Sequence, residues 1–302
     1  MAKRKKKKAG SVFLTILLLI FLGVFAYSGY KLIRIYLDYK AIGDEYHAIE
    51  DAYTSENTGG EEKTAEESFT EEEKDIITKE LERLKQDGMV FEDAEPPLVV
   101  DFEDLRKENP DIVGWIYVDA FPETISYPIC RGEDNDYYLH HTFRKTYLFS
   151  GAIFENCENS ADFSDPHTII YGHNMKNRSM FGNLKFLKEQ ERYDEHPYFW
   201  ILTPDGNYRY KIFAAFDTNY NSDVYTLFSI GGSDFLSWEE DLRTRSAVKN
   251  DIPLRGDDLV VTLSTCTANS SVRCVIIGKC VSSARPDVRK LAKEDDFKKE
   301  SK

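Results

Sequence analysis

The stretch VVTLSTCTANSSVRCVIIGKC, residues 260–280, decides how the rest of the chain is read. Residues 259–263 read as a strand that ends in Ser264-Thr265-Cys266, a single thiol among small polar side chains. Ala268-Asn269-Ser270-Ser271 is turn-like, and a second strand, residues 272–281, opens with Arg273. Side by side and antiparallel, the two strands put Cys266 at the end of one and Arg273 near the start of the next. A thiol attacks only as the thiolate, and a neighbouring cation favours that form. Such chemistry needs a base and a substrate groove from elsewhere in the chain.

Upstream, the texture is that of short strands separated by turn residues. Residues 114–118, 124–129, 147–154 and 168–171 are candidates, and 198–203 with 208–216 form a hairpin across Pro204-Asp205-Gly206-Asn207. A helix-like segment, 232–248, carries Phe235, Leu236, Trp238 and Leu242 and separates these strands from the cysteine strand. About eight strands with little helix between them predict a mainly β fold, a closed or nearly closed barrel. Two helices precede it. Thr70 and Glu73 can form a capping box before the stripe Ile76, Ile77, Leu81 and Leu84, and a second helix over 101–107 stops at Asn109-Pro110. Both are expected to pack outside the β core. No internal repeat and no Gly-rich phosphate loop is present.

Charge divides the 302 residues unevenly. The net charge is −14, yet residues 1–40 hold nine Lys/Arg against Asp38, which leaves the remainder at −22. An acidic body argues against nucleic acid, whose phosphates need a basic face. Lys3-Arg4-Lys5-Lys6-Lys7-Lys8 precedes an uncharged run, residues 11–30, of the length that spans a hydrocarbon core as a helix. A cleavable signal peptide shares the basic start, but no small-x-small cleavage site follows the run. An uncleaved anchor is therefore the reading, with the basic tail cytoplasmic and residues from about 31 onward outside. Residues 31–53 can continue as a helix. Residues 54–73, rich in Glu, Thr, Ser and Gly, read as a solvated linker.

Five cysteines leave at least one thiol unpaired, and Cys266 is the candidate. Pairing among Cys130, Cys157, Cys274 and Cys280 is left open. Of six histidines, His173 ends a strand beside Gly172, where an imidazole can stand over a cleft and move a proton. His47, His140, His141, His167 and His196 have weaker settings. No Cys or His pair has the close spacing of a zinc site, and no GxSxG supports a serine nucleophile.

TLSTC, Arg273 seven residues after Cys266, and IIYGHNM upstream together resemble the sortase family of membrane-anchored transpeptidases of Gram-positive bacteria. NPDIVGWIYV, ISYPI, DNDYYLHHTF, GAIFEN and the helical insertion resemble its class B branch in particular, over residues 101–281. The resemblance implies an eight-stranded sortase β-barrel with N-terminal helices and one transmembrane helix. It implies Cys266 as nucleophile, His173 as general acid/base and Arg273 as the oxyanion or positioning group. Ser264 and Thr265 would line the groove. Tyr225 would lie over the substrate, with an ordinary packed aromatic as the other reading. Thr267-Ala268-Asn269 lack the acidic residues some members carry there.

The implied domains are a basic tail (1–10), an anchor (11–30), a stalk and acidic linker (31–69), helices (70–110), the barrel (111–284) and a charged C-terminal tail (285–302). The implied partners are surface proteins bearing a C-terminal sorting signal and an amine acceptor, from the cell-wall peptidoglycan precursor or a pilin; no cofactor is implied. A membrane-tethered cysteine protease and a catalytically silent peptide-binding scaffold are the alternatives.

Overall fold

A computed structural model describes residues 3–58, 69–267 and 271–300. The chain divides into two units, residues 1–47 and 48–302. Helix α1 (Lys3–Tyr53) forms the first as far as His47, and its last residues belong to the second. From Val12 onward it is long and apolar enough to cross a membrane, and Phe13, Leu17 and Phe21 are exposed. Exposed apolar side chains over that length match a lipid rather than a water surround. Half of the expected linker, residues 59–68, lies outside the described residues.

In the second unit, β1 (Thr54–Glu56) pairs antiparallel with β2 (Leu98–Val100), a short two-stranded sheet. Helix α2 (Glu71–Gln86) starts at the expected capping box: Thr70 Oγ1 accepts from Glu73 N, and Glu73 Oε2 accepts from Thr70 N. Helix α3 (Phe102–Glu108) is capped by Asp101 and ends at Asn109. The C-terminal segment expected as a charged tail is helical, α6 (Pro286–Glu300), with Val288 and Ala292 buried. Val288 joins Leu84 and Met89 in a small apolar cluster that ties α6 to α2.

The barrel strands are β3 (Ile112–Val118), β4 (Ser126–Cys130), β5 (Ile153–Glu155), β6 (His167–Tyr171), β7 (Tyr198–Thr203), β8 (Gly206–Asn219), β9 (Val260–Cys266) and β10 (Val272–Cys280). They close in the order β10-β8-β7-β3-β4-β5-β6-β9. The pairs β4–β5 and β6–β9 are parallel and the others antiparallel. The expected eight-stranded, mainly β fold is therefore present. The β7–β8 hairpin closes at Thr203↔Gly206 across Pro204-Asp205, as its turn residues predict.

One strand is shorter than expected. Of residues 147–154, only the end belongs to β5, because Gly151 takes φ 54° and folds the chain back. Ala152 N then donates to Tyr138 O and Leu148 N to His140 O, so the segment makes a loop against the 3₁₀ turn Tyr137–Leu139. A Cβ at Gly151 would lie 2.3 Å from Tyr138 O, so only glycine fits. Helix α4 (Gln190–Glu195) precedes β7, and α5 (Ser233–Arg245) is the predicted insertion. Phe235, Trp238 and Leu242 of α5 pack with Phe213, Phe216, Val260 and Val275 of the barrel. At about 1.5–3 kcal/mol for each large apolar side chain removed from water, that face alone holds α5 in place.

Candidate active site

The site lies at one rim of the barrel, where strand direction does the assembling. Parallel strands end on the same side, so β6 and β9 both deliver their last residues to this rim. The paired residues run from His167↔Val260 to Tyr171↔Ser264, and Gly172 N donates to Ser264 O at 3.1 Å. β6 ends at Tyr171, and His173 follows two residues beyond it. On its other side β9 pairs with β10, and Cys266 is directly opposite Arg273. The Cys266 backbone is thus paired with that of the residue predicted as cation, and the residue predicted as base follows the end of the neighbouring strand β6.

Gly172 makes the exit from β6 possible. A Cβ there would lie 2.5 Å from Ile153 Cδ1 and 2.7 Å from Phe181 Cδ2. The chain passes close over the core at this point and then presents His173 at the rim.

The His173 ring is half-buried, and its Nε2 donates to Leu139 O at 2.9 Å. A carbonyl only accepts, so the proton of the neutral ring is on Nε2 and Nδ1 is the nitrogen left to exchange one. Burial lowers the His173 pKa below the usual 6.5; the Leu139 carbonyl pulls the other way, and His140 and Arg273 add to the depression. The imidazole is therefore mostly neutral at pH 7 and able to take a proton. Arg273 is itself half-buried, with Nη1 donating to Val272 O at 3.2 Å.

An open groove of about 320 Å³ runs along this rim, bordered by Leu139, Tyr171, His173, Tyr225, Ser264 and Arg273, among others. The Tyr225 hydroxyl and Ser264 Oγ share a hydrogen bond of 2.9 Å. Tyr225 ends a 3₁₀ turn, Asp223–Tyr225, just beyond the end of β8. Thr265 also borders the groove; it is buried, and its Oγ1 has no hydrogen-bond partner among the described residues. The residue predicted from sequence to be the nucleophile and the five predicted to surround it therefore gather at one rim.

The other cysteines are free thiols. Cys130, Cys274 and Cys280 are buried, and burial pushes their thiols up, to about 12 for Cys274 and Cys280. They behave as small hydrophobes. Cys157 is half-buried, and its backbone N–H donates to Asn135 Oδ1 at 2.8 Å. Among the described residues, no group of three or more His, Cys, Asp or Glu is placed to hold a metal ion.

Two participants had no useful signal in the sequence. The Leu139 carbonyl that orients His173 is a backbone atom, which residue type does not reveal. His167, read only as the start of a strand, turns out to be fully buried with both ring nitrogens bonded.

Barrel topology and a strand-end cysteine paired with an arginine are those expected of a sortase-type cysteine transpeptidase. Comparison with known proteins agrees. Sortase B of Listeria monocytogenes is 31% identical over 271 residues, which cover 88% of this chain and 96% of the relative. The crystal structure of Clostridium perfringens sortase B matches with a TM-score of 0.55 at 30% identity, covering 60% of this chain and 99% of that one. Sortase B of B. anthracis matches with a TM-score of 0.55 at 32% identity, over 68% and 94% of the two chains. No protein-family model matches the chain. The chain belongs to the sortase B family.

Proposed function

We propose that this enzyme cleaves a C-terminal sorting motif through a thioacyl intermediate on Cys266 and passes the acyl group to an amine. The observation that carries the reading is the strand register that sets Cys266 opposite Arg273 on β10 and pairs the cysteine strand with β6, from whose end His173 follows. His173 takes the Cys266 thiol proton as the sulfur attacks the scissile carbonyl, and Arg273 stabilises the oxyanion, a role suited to a permanently charged donor fork. His173 protonates the leaving amine as the tetrahedral adduct collapses to the thioester. It then takes a proton from the incoming amine, whose attack releases the product and regenerates Cys266. Ser264, Thr265 and Tyr225 line the path of the sorting peptide.

The acceptor is a primary amine on a cell-wall precursor or a pilin. A sortase B structure that matches with a TM-score of 0.56 at 25% identity is complexed with triglycine, in keeping with such an acceptor. The basic start of α1 stays in the cytoplasm and the catalytic unit is external, on the asymmetry of positive charge about the apolar run.

The test is mass spectrometry of the full-length chain in detergent, mixed with LPxTG-like and NPxTN-like peptides with and without amines. A Cys266 thioacyl adduct that resolves to an amine-ligated product, and is absent in Cys266→Ala, is the expected result. Hydrolysed product whatever the amine supplied would make the enzyme a protease, and biological activity persisting in Cys266→Ala would make it a scaffold.

A further inference from the structure

Tyr225 sits on a segment with no regular pairing of its own, yet its hydroxyl meets Ser264 within hydrogen-bond distance. Something must hold that segment. Three side chains converge on it from two directions. His167, the first residue of β6, donates from Nδ1 to Thr226 O at 2.8 Å. Trp238 of α5 donates from Nε1 to Asp223 O at 3.0 Å. Arg245, at the end of α5, pairs with both Asp223 carboxylate oxygens at 2.9 and 3.0 Å.

His167 is also tied to the cysteine strand. With Nδ1 donating to a carbonyl, Nε2 accepts, and its partner is the Thr262 hydroxyl of β9 at 2.8 Å. The imidazole is 0% exposed, and its ring centroid lies 4.6 Å from that of Trp238. The two rings therefore pack as one unit and grip the carbonyls on either side of Tyr225. A buried polar ring with both nitrogens bonded is costly to disturb, and it resists displacement.

We propose that His167 and Trp238 form a bracket that positions Tyr225 against Ser264 and so sets how tightly the sorting peptide is held. This rests on the transpeptidase reading of the groove. Neither residue touches substrate; both are positioning residues that act through Tyr225. Their location explains why a histidine and a tryptophan occupy the β6 start and the inner face of α5, where an apolar pair would pack equally well.

The test compares His167→Gln, His167→Asn and Trp238→Phe in the full-length enzyme, measuring KM and kcat for thioacyl formation with a sorting peptide. The glutamine amide reaches the Nε2 place and leaves Thr226 O unbonded, whereas the asparagine amide sits at the Nδ1 place and restores that donor. KM is expected to rise about three- to tenfold in His167→Gln, the worth of one hydrogen bond, with kcat within about twofold and most of the loss recovered in His167→Asn. Trp238→Phe keeps the packing, loses only the bond to Asp223 O, and should move KM the same way. Each change combined with Tyr225→Phe should be strongly non-additive, which a merely structural role would not produce.

Unchanged KM in His167→Gln and Trp238→Phe, or losses that add fully to that of Tyr225→Phe, would overturn the bracket. Should His167→Gln not fold, the Trp238→Phe cycle decides alone. A wild-type chain that forms no adduct with any sorting peptide would sink the reading of the groove, and the bracket with it. A wild-type adduct with unmoved variants would sink the bracket only.

Discussion

His173 and Arg273, proposed as proton carrier and oxyanion donor, also act on each other. The positive charge of Arg273 and the burial of the ring both favour neutral imidazole, so the folded pKa lies below 6.5. The acid limb of kcat/KM is therefore expected to have its midpoint below that value. In Arg273→Gln the midpoint should move upward, because one source of the depression is gone, while the rate falls about 10²–10³-fold through loss of oxyanion stabilisation. His173→Gln should cost about 10²–10⁴-fold and abolish the acid limb. A pH profile of thioacyl formation in the three proteins measures both effects. An Arg273→Gln midpoint at or below that of wild type would show that the two groups do not communicate.

The helical insertion α5 is a structural element with an electrostatic weak point. Its Glu239 is fully buried, and neither carboxylate oxygen has a hydrogen-bond partner among the described residues. Nearby, Lys279 of β10 is paired with Asp258 at 2.7 Å. Burial first, then the negative charge of Asp258, pushes the Glu239 pKa to about 9, with Lys279 opposing. The unfolded chain releases that proton near 4.5, and the folded one keeps it until about 9. Stability from this group is thus full below about 4.5 and is lost as pH rises towards 9.

Glu239→Gln, which cannot ionise, should add about 1–3 kcal/mol at pH 8 and little at pH 5. That is a gain of roughly 2–4 °C in Tm per kcal/mol, read by thermal unfolding at the two pH values. An equal effect at both would refute a buried ionisation. His167 has the opposite sign: burial holds it down to about 4, so its contribution is full above 6.5 and lost as pH falls through 4.

At the scale of the whole molecule, charge asymmetry and the apolar helix belong together. A basic start, an uncharged run and an acidic body are the charge pattern behind the proposed orientation, with the tail cytoplasmic and the catalytic unit outside. Protease added to intact cells is expected to digest the catalytic unit. Changing Lys3, Arg4, Lys5, Lys6, Lys7 and Lys8 to Glu should protect it, by weakening or reversing the insertion preference. Digestion that proceeds equally in both would mean that orientation is set elsewhere in the chain.

What the sequence by itself determined is local. The Cys266–Arg273 pairing follows from two strands joined by a short turn, the start of α2 from a capping box, and the apolar α1 from an uncharged run. Each of these depends on neighbours along the chain, so residue type and spacing carry the signal. Only the tertiary structure decided that the strand leading to His173 runs beside the cysteine strand, because the parallel β6–β9 register joins segments distant in sequence and no local pattern encodes it. The same holds for the Leu139 carbonyl on His173, and for His167 gripping Thr226 and Thr262. The helical C-terminal segment was likewise hidden, since a few apolar side chains among many charges become a core only when α2 is there to cover them.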